Sequence, residues 1–138
     1  MGYLLDTNVV SEVRKPRPHP RVATWFASVD AGELYLSALV VGEIFQGIER
    51  LRRRDPERAA GYGVWLAQLR TSYADRIVPV DADVAVEWGR MNSVTRLPVV
   101  DGLLAATARV RGWTLVTRNV RDVAGTGARI LDPFAPPA

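Results

Sequence analysis

In Gly2-Tyr3-Leu4-Leu5-Asp6-Thr7-Asn8 a short apolar run passes at once into three oxygen-bearing side chains of the kind that cap helices. It reads as a buried strand turning directly into a helix that runs from about Asn8 to Lys15. Near the other end of the chain, Leu115-Val116-Thr117-Arg118-Asn119 has the same layout. Open parallel sheets bind ligands beyond the carboxyl ends of their strands, at a switch in strand order. If these two strands are neighbours, Asp6 and Asn119 meet at one rim.

After the first helix, Pro16, Pro18 and Pro20 punctuate a loop, and Val22, Trp25, Phe26 and Val29 then recur at helical spacing. Leu34-Tyr35-Leu36 is a second strand, after which Ser37 caps a helix whose apolar stripe is Val40, Ile44, Gly47, Ile48 and Leu51. Pro56 opens the next helix, carrying Tyr62, Trp65, Leu66 and Leu69. Ile77 to Val80 is a third strand, and Asp81 or Asp83 opens a helix bearing Val84, Val86, Trp88 and Met91. A helix from Pro98 ends at Gly112, Trp113 to Thr117 is the fourth strand, and Ala128 to Leu131 is an edge strand before the proline-rich end, Pro133 to Ala138. Strands alternating with helices predict an α/β fold, a three-layer α/β/α sandwich around a short, mainly parallel sheet of four or five strands. No repeat or linker divides residues 1–138, which read as one domain.

Composition narrows the chemistry. The 138 residues contain no cysteine and one histidine, His19, which excludes disulfide scaffolds, thiolate metal sites, cysteine nucleophiles and any mechanism needing two imidazoles. Eighteen basic residues, all arginine except Lys15, against fifteen acidic ones leave a net charge of +3, which permits a polyanionic partner without requiring one. No uncharged apolar run approaches the roughly 18 residues of a membrane span, and no leader pattern opens the chain, so the expected compartment is the cytoplasm, with no membrane partner.

Three carboxylates stand at or near helix starts after an apolar or proline stop: Asp6, Glu43 and Asp101. Each has a plain structural reading, Asp6 as a helix N-cap, Glu43 as a solvated boundary residue and Asp101 as a favourable charge on a helix dipole. Together they imply an acidic rim, and such a rim repels itself unless a cation sits in it. No lysine or histidine is placed for that role, and the nearby Arg118 and Arg121 belong to one loop. A hard divalent cation with oxygen ligands and retained waters satisfies the charge, and phosphodiester hydrolysis assisted by such an ion needs no histidine.

Leu4-Leu5-Asp6-Thr7-Asn8, Leu36-Ser37-Ala38 with Val41-Gly42-Glu43, Val100-Asp101-Gly102-Leu103-Leu104-Ala105-Ala106 and Leu115-Val116-Thr117-Arg118-Asn119-Val120-Arg121-Asp122 resemble, in order and spacing, the successive motifs of PIN-domain ribonucleases. In particular they resemble the VapC toxins of type II toxin–antitoxin modules. The resemblance implies a Mg²⁺- or Mn²⁺-dependent endoribonuclease that leaves 5′-phosphate and 3′-hydroxyl ends. It places Asp6, Glu43 and Asp101 on the acidic positions, with Asp6 and Asp101 binding metal and Glu43 binding directly or through water. At the fourth position stands Asn119, a neutral oxygen donor, and the next acid is Asp122, able to reach a metal through water. Thr7, Asn8 and Thr117 are implied as supporting groups for the carboxylates or the metal's waters. The implied partners are an RNA substrate, a VapB-like antitoxin, a second copy of the chain and operator DNA reached through the antitoxin.

The arginine clusters, Arg50, Arg52, Arg53, Arg54 and Arg58 on one side and Arg14, Lys15, Arg17 and Arg21 on the other, read either as solvated helix ends or as phosphate contacts. His19 reads as an exposed loop residue, and the four tryptophans as core. Two rival functions remain at this level. One is a catalytically silent PIN fold that binds RNA or protein. The other is an α/β phosphohydrolase with Asp6 as nucleophile, weakened because Asn8 stands where a second acid is wanted.

Overall fold

Five parallel strands, Tyr3–Leu5 (β1), Leu34–Ser37 (β2), Ile77–Val78 (β3), Thr114–Val116 (β4) and Arg129–Leu131 (β5), form one sheet in the order β3-β2-β1-β4-β5. They come from a computed structural model that describes residues 1–137, so Ala138 of the proline-rich end lies outside the described residues. The helices are Thr7–Arg14 (α1), Pro20–Ser28 (α2), Ala38–Arg52 (α3), Pro56–Ser72 (α4), Ala82–Asn92 (α5), Val99–Arg111 (α6) and Val120–Val123 (α7).

The chain steps from β1 outward to β2 and β3, then returns past β1 to β4 and β5. Right-handed crossovers in opposite directions put helices on opposite faces of a sheet. Accordingly α1 packs on α2 and α3, and α3 on α4, while α5 packs on α6 and α6 on α7. The reversal falls at β1, and the expected α/β/α sandwich is present with every strand pair parallel.

Leu4, Leu5, Leu36, Leu115 and Val116 fill the sheet's interior, and Val9, Val22, Val40, Val84 and Leu104 cover it from the helices. Strands this short are stable because both faces are covered. The helix starts follow from local chemistry. Ser37 accepts from the Leu39 N–H and Asp81 from the Val84 N–H, and Pro56 occupies the first turn of α4, where its missing N–H costs nothing. Gly112 ends α6 at φ 70°, a left-handed conformation that suits glycine.

Several expectations are corrected. The third strand stops at Val78, because Pro79 has no N–H to donate to a ladder, and Val80 is exposed. Gly47 is exposed on α3 rather than buried in its stripe. His19 is half-buried: its ring caps α2 through Nδ1, which accepts from the Arg21 N–H, and packs edge-on against Phe134. The tryptophans border the core instead of filling it. Trp113 stacks on Tyr35 with ring centroids 4.0 Å apart, and its indole lies over buried Gly2, where a Cβ would overlap it. Gly2→Ala is therefore expected to lower stability by about 1–3 kcal/mol through overpacking, read as a lower denaturation midpoint with an unchanged m value.

Candidate active site

The site is built around the end of β1. The Asp6 N–H donates to the Val116 carbonyl at 2.9 Å, extending the β1–β4 ladder by one rung and fixing where the next side chains emerge. Asp6 is 5% exposed. Its Oδ1 accepts from the Thr7 N–H at 2.7 Å and its Oδ2 from the Thr117 hydroxyl at 2.7 Å. The N-cap reading and the site reading of Asp6 thus describe one side chain, one oxygen capping α1 and the other facing β4. Burial pushes the Asp6 carboxyl above its ordinary pKa, the hydrogen bonds from Thr117 and Thr7 oppose this, and the charge of Glu43 adds to the rise.

Glu43 reaches the same rim from α3. Its Oε1 accepts from the Thr7 hydroxyl at 2.6 Å, so neighbouring residues at the start of α1 hold two of the three predicted acids. Thr117 also has two roles: it donates to Asp6, and its Oγ1 accepts from the Asn119 N–H at 3.0 Å, which shapes the turn into α7. Asn8 bridges the two strand ends, its Oδ1 accepting from the Arg118 N–H at 3.3 Å and its Nδ2 lying 3.5 Å from both Asp6 and Thr117.

Asp101 stands half-buried in the first turn of α6 and makes no side-chain hydrogen bond among the described residues. Its carboxyl is pushed up to about 6, first by burial and then by the negative charges of Asp6, Asp122 and Glu43. Four carboxylates from four helix starts or turns therefore share one field. None of them is ion-paired with an arginine or lysine among the described residues. Arg118 turns away, its guanidinium 4.5 Å from the centroid of the Phe134 ring.

Asp122 is thus brought into the cluster. The Asn119 side chain is exposed and makes no capping hydrogen bond, while its backbone N–H donates to Thr117. No three acidic or histidine side chains of the described residues converge closely enough to hold a metal between them. An arrangement of spread, unneutralised oxygens suits a hard cation that keeps much of its water and takes one or two carboxylates directly. On donor chemistry and uncompensated charge the residues present fit Mg²⁺ or Mn²⁺.

Beside this rim lies a feature the sequence reading missed. Arg14, Tyr62 and Trp65 line an open groove next to Thr7 and Glu43. Helical periodicity assigns Trp65 to the core, and nothing local in the sequence shows that α1 and α4 meet across α3.

The sequence pattern of the PIN domain matches residues 3–124 of this chain. The chain belongs to the PIN-domain family. It is 30% identical to Toxin FitB of Neisseria gonorrhoeae over 136 residues, covering 95% of this chain and 97% of that protein. It is also 30% identical over 141 residues to VapC ribonuclease Y4jK of Sinorhizobium fredii, covering 96% and 98% respectively. Among solved structures, FitAB bound to an IR36 DNA fragment matches this PIN domain with a TM-score of 0.88 at 28% identity, over 99% of this chain and 98% of that one. The β1 and β4 ends that carry Asp6 and Thr117, the helix that carries Glu43 and the helix that carries Asp101 all lie inside the PIN-matched span.

Proposed function

We propose that this PIN protein is the toxin of a type II toxin–antitoxin pair and hydrolyses RNA phosphodiester bonds internally with the help of Mg²⁺ or Mn²⁺. The observation that carries the reading is the unneutralised acidic cluster at the strand-order reversal, with Asp101 driven to about 6 by burial and by Asp6, Asp122 and Glu43. The kinship to a VapC ribonuclease and to a FitB toxin supports both the reaction and the setting. Asp6 and Asp101 are the residues to hold the ion, with Glu43 and Asp122 acting directly or through its waters. When bound, the ion supplies an activated water and stabilises charge on the phosphoryl oxygens.

The rest is done by the chain itself. Thr117 and the Thr7 N–H fix both oxygens of Asp6, and the Thr7 hydroxyl orients Glu43, so the acids are held before substrate arrives. Each oxygen of Asp6 accepts one of these hydrogen bonds and keeps a second lone pair for the ion. The proposal extends to one domain over residues 1–138, a VapB-like antitoxin encoded beside the toxin, a homodimer, operator DNA reached through the antitoxin and a cytoplasmic location. No described helix is long and apolar enough to cross a membrane.

The test is cleavage of labelled RNA by the purified protein. Products with 5′-phosphate ends are expected with Mg²⁺ or Mn²⁺ and none with EDTA, together with growth arrest on expression that the neighbouring gene relieves. RNA left intact with either ion would refute the nuclease reading.

A further inference from the structure

A groove of about 390 Å³ runs between α1, α3 and α4 and opens onto the acidic rim, with Thr7 and Glu43 in its wall. Its other walls carry Arg14, Arg54 and Arg58 with Tyr62 and Trp65. Three guanidinium groups against one carboxylate make it a basic channel leading into an acidic centre.

The cations are held ready for an anion. Arg14 is half-buried and forms no ion pair among the described residues. Instead its guanidinium lies 4.4 Å from the Tyr62 ring centroid and 5.5 Å from that of Trp65. Arg58 donates to the Tyr62 hydroxyl at 3.3 Å, and its only ion pair among the described residues, with Asp55, is stretched to 4.0 Å. The positive field shows in Tyr62, whose phenol is held below its ordinary pKa by that hydrogen bond and by the charge of Arg14. Beyond the N–H that Arg58 gives to Tyr62, both guanidinium groups keep further N–H groups for phosphate, and no strong ion pair has to break first.

The floor of the groove is equally specific. Gly47 lies one helical turn beyond Glu43 on α3, exposed, and a Cβ built on it would meet nothing. Glycine inside a helix costs about 1 kcal/mol relative to alanine, and no packing among the described residues requires it here. Its absent side chain keeps the groove at backbone depth next to Glu43.

Resting on the ribonuclease reading above, we propose that this groove is a subsite for the single-stranded RNA flanking the scissile phosphate. Arg14, Arg54 and Arg58 take backbone phosphates, Gly47 gives the strand clearance, and the Tyr62 and Trp65 rings border the path of the bases. RNA is favoured over an acidic protein segment because the groove is continuous with the centre where the phosphodiester reacts. A polynucleotide must leave that centre along its own charged backbone, and the arginines line one exit.

The test uses the full chain carrying Asp101→Asn to prevent cleavage, and a short fluorescent single-stranded RNA read by anisotropy at several salt concentrations. Arg14→Gln and Arg58→Gln are each expected to weaken binding about tenfold and to lower the salt slope by about 0.7 per lost phosphate contact. Gly47→Leu, which changes no charge, is expected to weaken binding similarly by filling the groove, whereas Arg70→Gln at the far end of α4 leaves it unaltered. With Asp101 intact, the groove substitutions raise KM for RNA cleavage and move kcat less than about threefold. Normal RNA affinity and salt slope in both Arg58→Gln and Gly47→Leu would overturn the proposal, including the case where those variants impair only the antitoxin complex. That outcome, with wild-type cleavage of RNA intact, removes the subsite alone. RNA left uncleaved by the wild type with either metal ion removes the ribonuclease reading itself.

Discussion

Asp6→Asn is expected to reduce metal-dependent RNA cleavage on the order of 10²–10³-fold while leaving the fold in place, the scale on which loss of one electrostatic stabiliser lowers a rate. The geometry separates the two effects. The substituted side chain keeps a carbonyl oxygen for the Thr7 N–H, and its amide can donate to the Thr117 hydroxyl, which turns to accept. What disappears is a buried negative charge, and burial is the chief reason that the Asp6 carboxyl is raised above its ordinary pKa. The thermal midpoint should therefore hold or rise. Asp6→Ala gives the contrasting result, since it also removes the cap of α1 and strands the Thr117 hydroxyl, which costs about 1–3 kcal/mol. Matched melting curves and cleavage rates of the wild type and the two variants make the check. Wild-type cleavage by Asp6→Asn, purified identically and at a rate that scales with its concentration, would show that the charge at the end of β1 is not part of the chemistry.

Much of this arrangement is legible in the sequence, and what is legible shares a physical basis. The apolar-to-polar switch at Leu5-Asp6 and Val116-Thr117 marks strand ends because a buried run cannot continue through groups that need partners. Ser37, Pro56 and Asp81 mark helix starts through bonding that lies within three residues. Features set by distant packing are not legible. The charge of Asp122 acting on Asp101 depends on where the one-turn helix α7 sits, which spacing does not encode. The placing of Arg14 on Tyr62 and Trp65 depends on three helices meeting, which no local pattern encodes.

The acidic cluster should be visible in stability as well as in rate. Asp101 holds its proton to about pH 6 in the folded protein against an ordinary 3.8, so the folded state binds that proton more tightly than the unfolded one. A raised carboxyl of this kind contributes stability that is fully present below its unfolded pKa and is lost as pH rises through its folded value. With EDTA present, the protein should therefore lose about 1 kcal/mol on Asp101's account between about pH 5 and pH 7.5, after discounting for solvent screening of a half-exposed group. Asp6, raised for the same chief reason, acts in the same direction. Glu12 and Glu87 are held below their ordinary 4.5 by Lys15 and Arg90, so their opposite contributions fall at more acid pH, outside this window. Asp101→Asn should flatten the pH dependence and, in EDTA near pH 7.5, melt about 3–5 °C above the wild type. Saturating Mg²⁺ should reverse that ranking, because only the wild type retains the full set of charges that draws the ion in. Crowded negative charge thus works against the metal-free fold and for the loaded one. A metal-free Asp101→Asn protein that melts below the wild type at neutral pH, or a Mg²⁺ response equal in both, would show that the carboxylates do not share the field from which the nuclease reading starts.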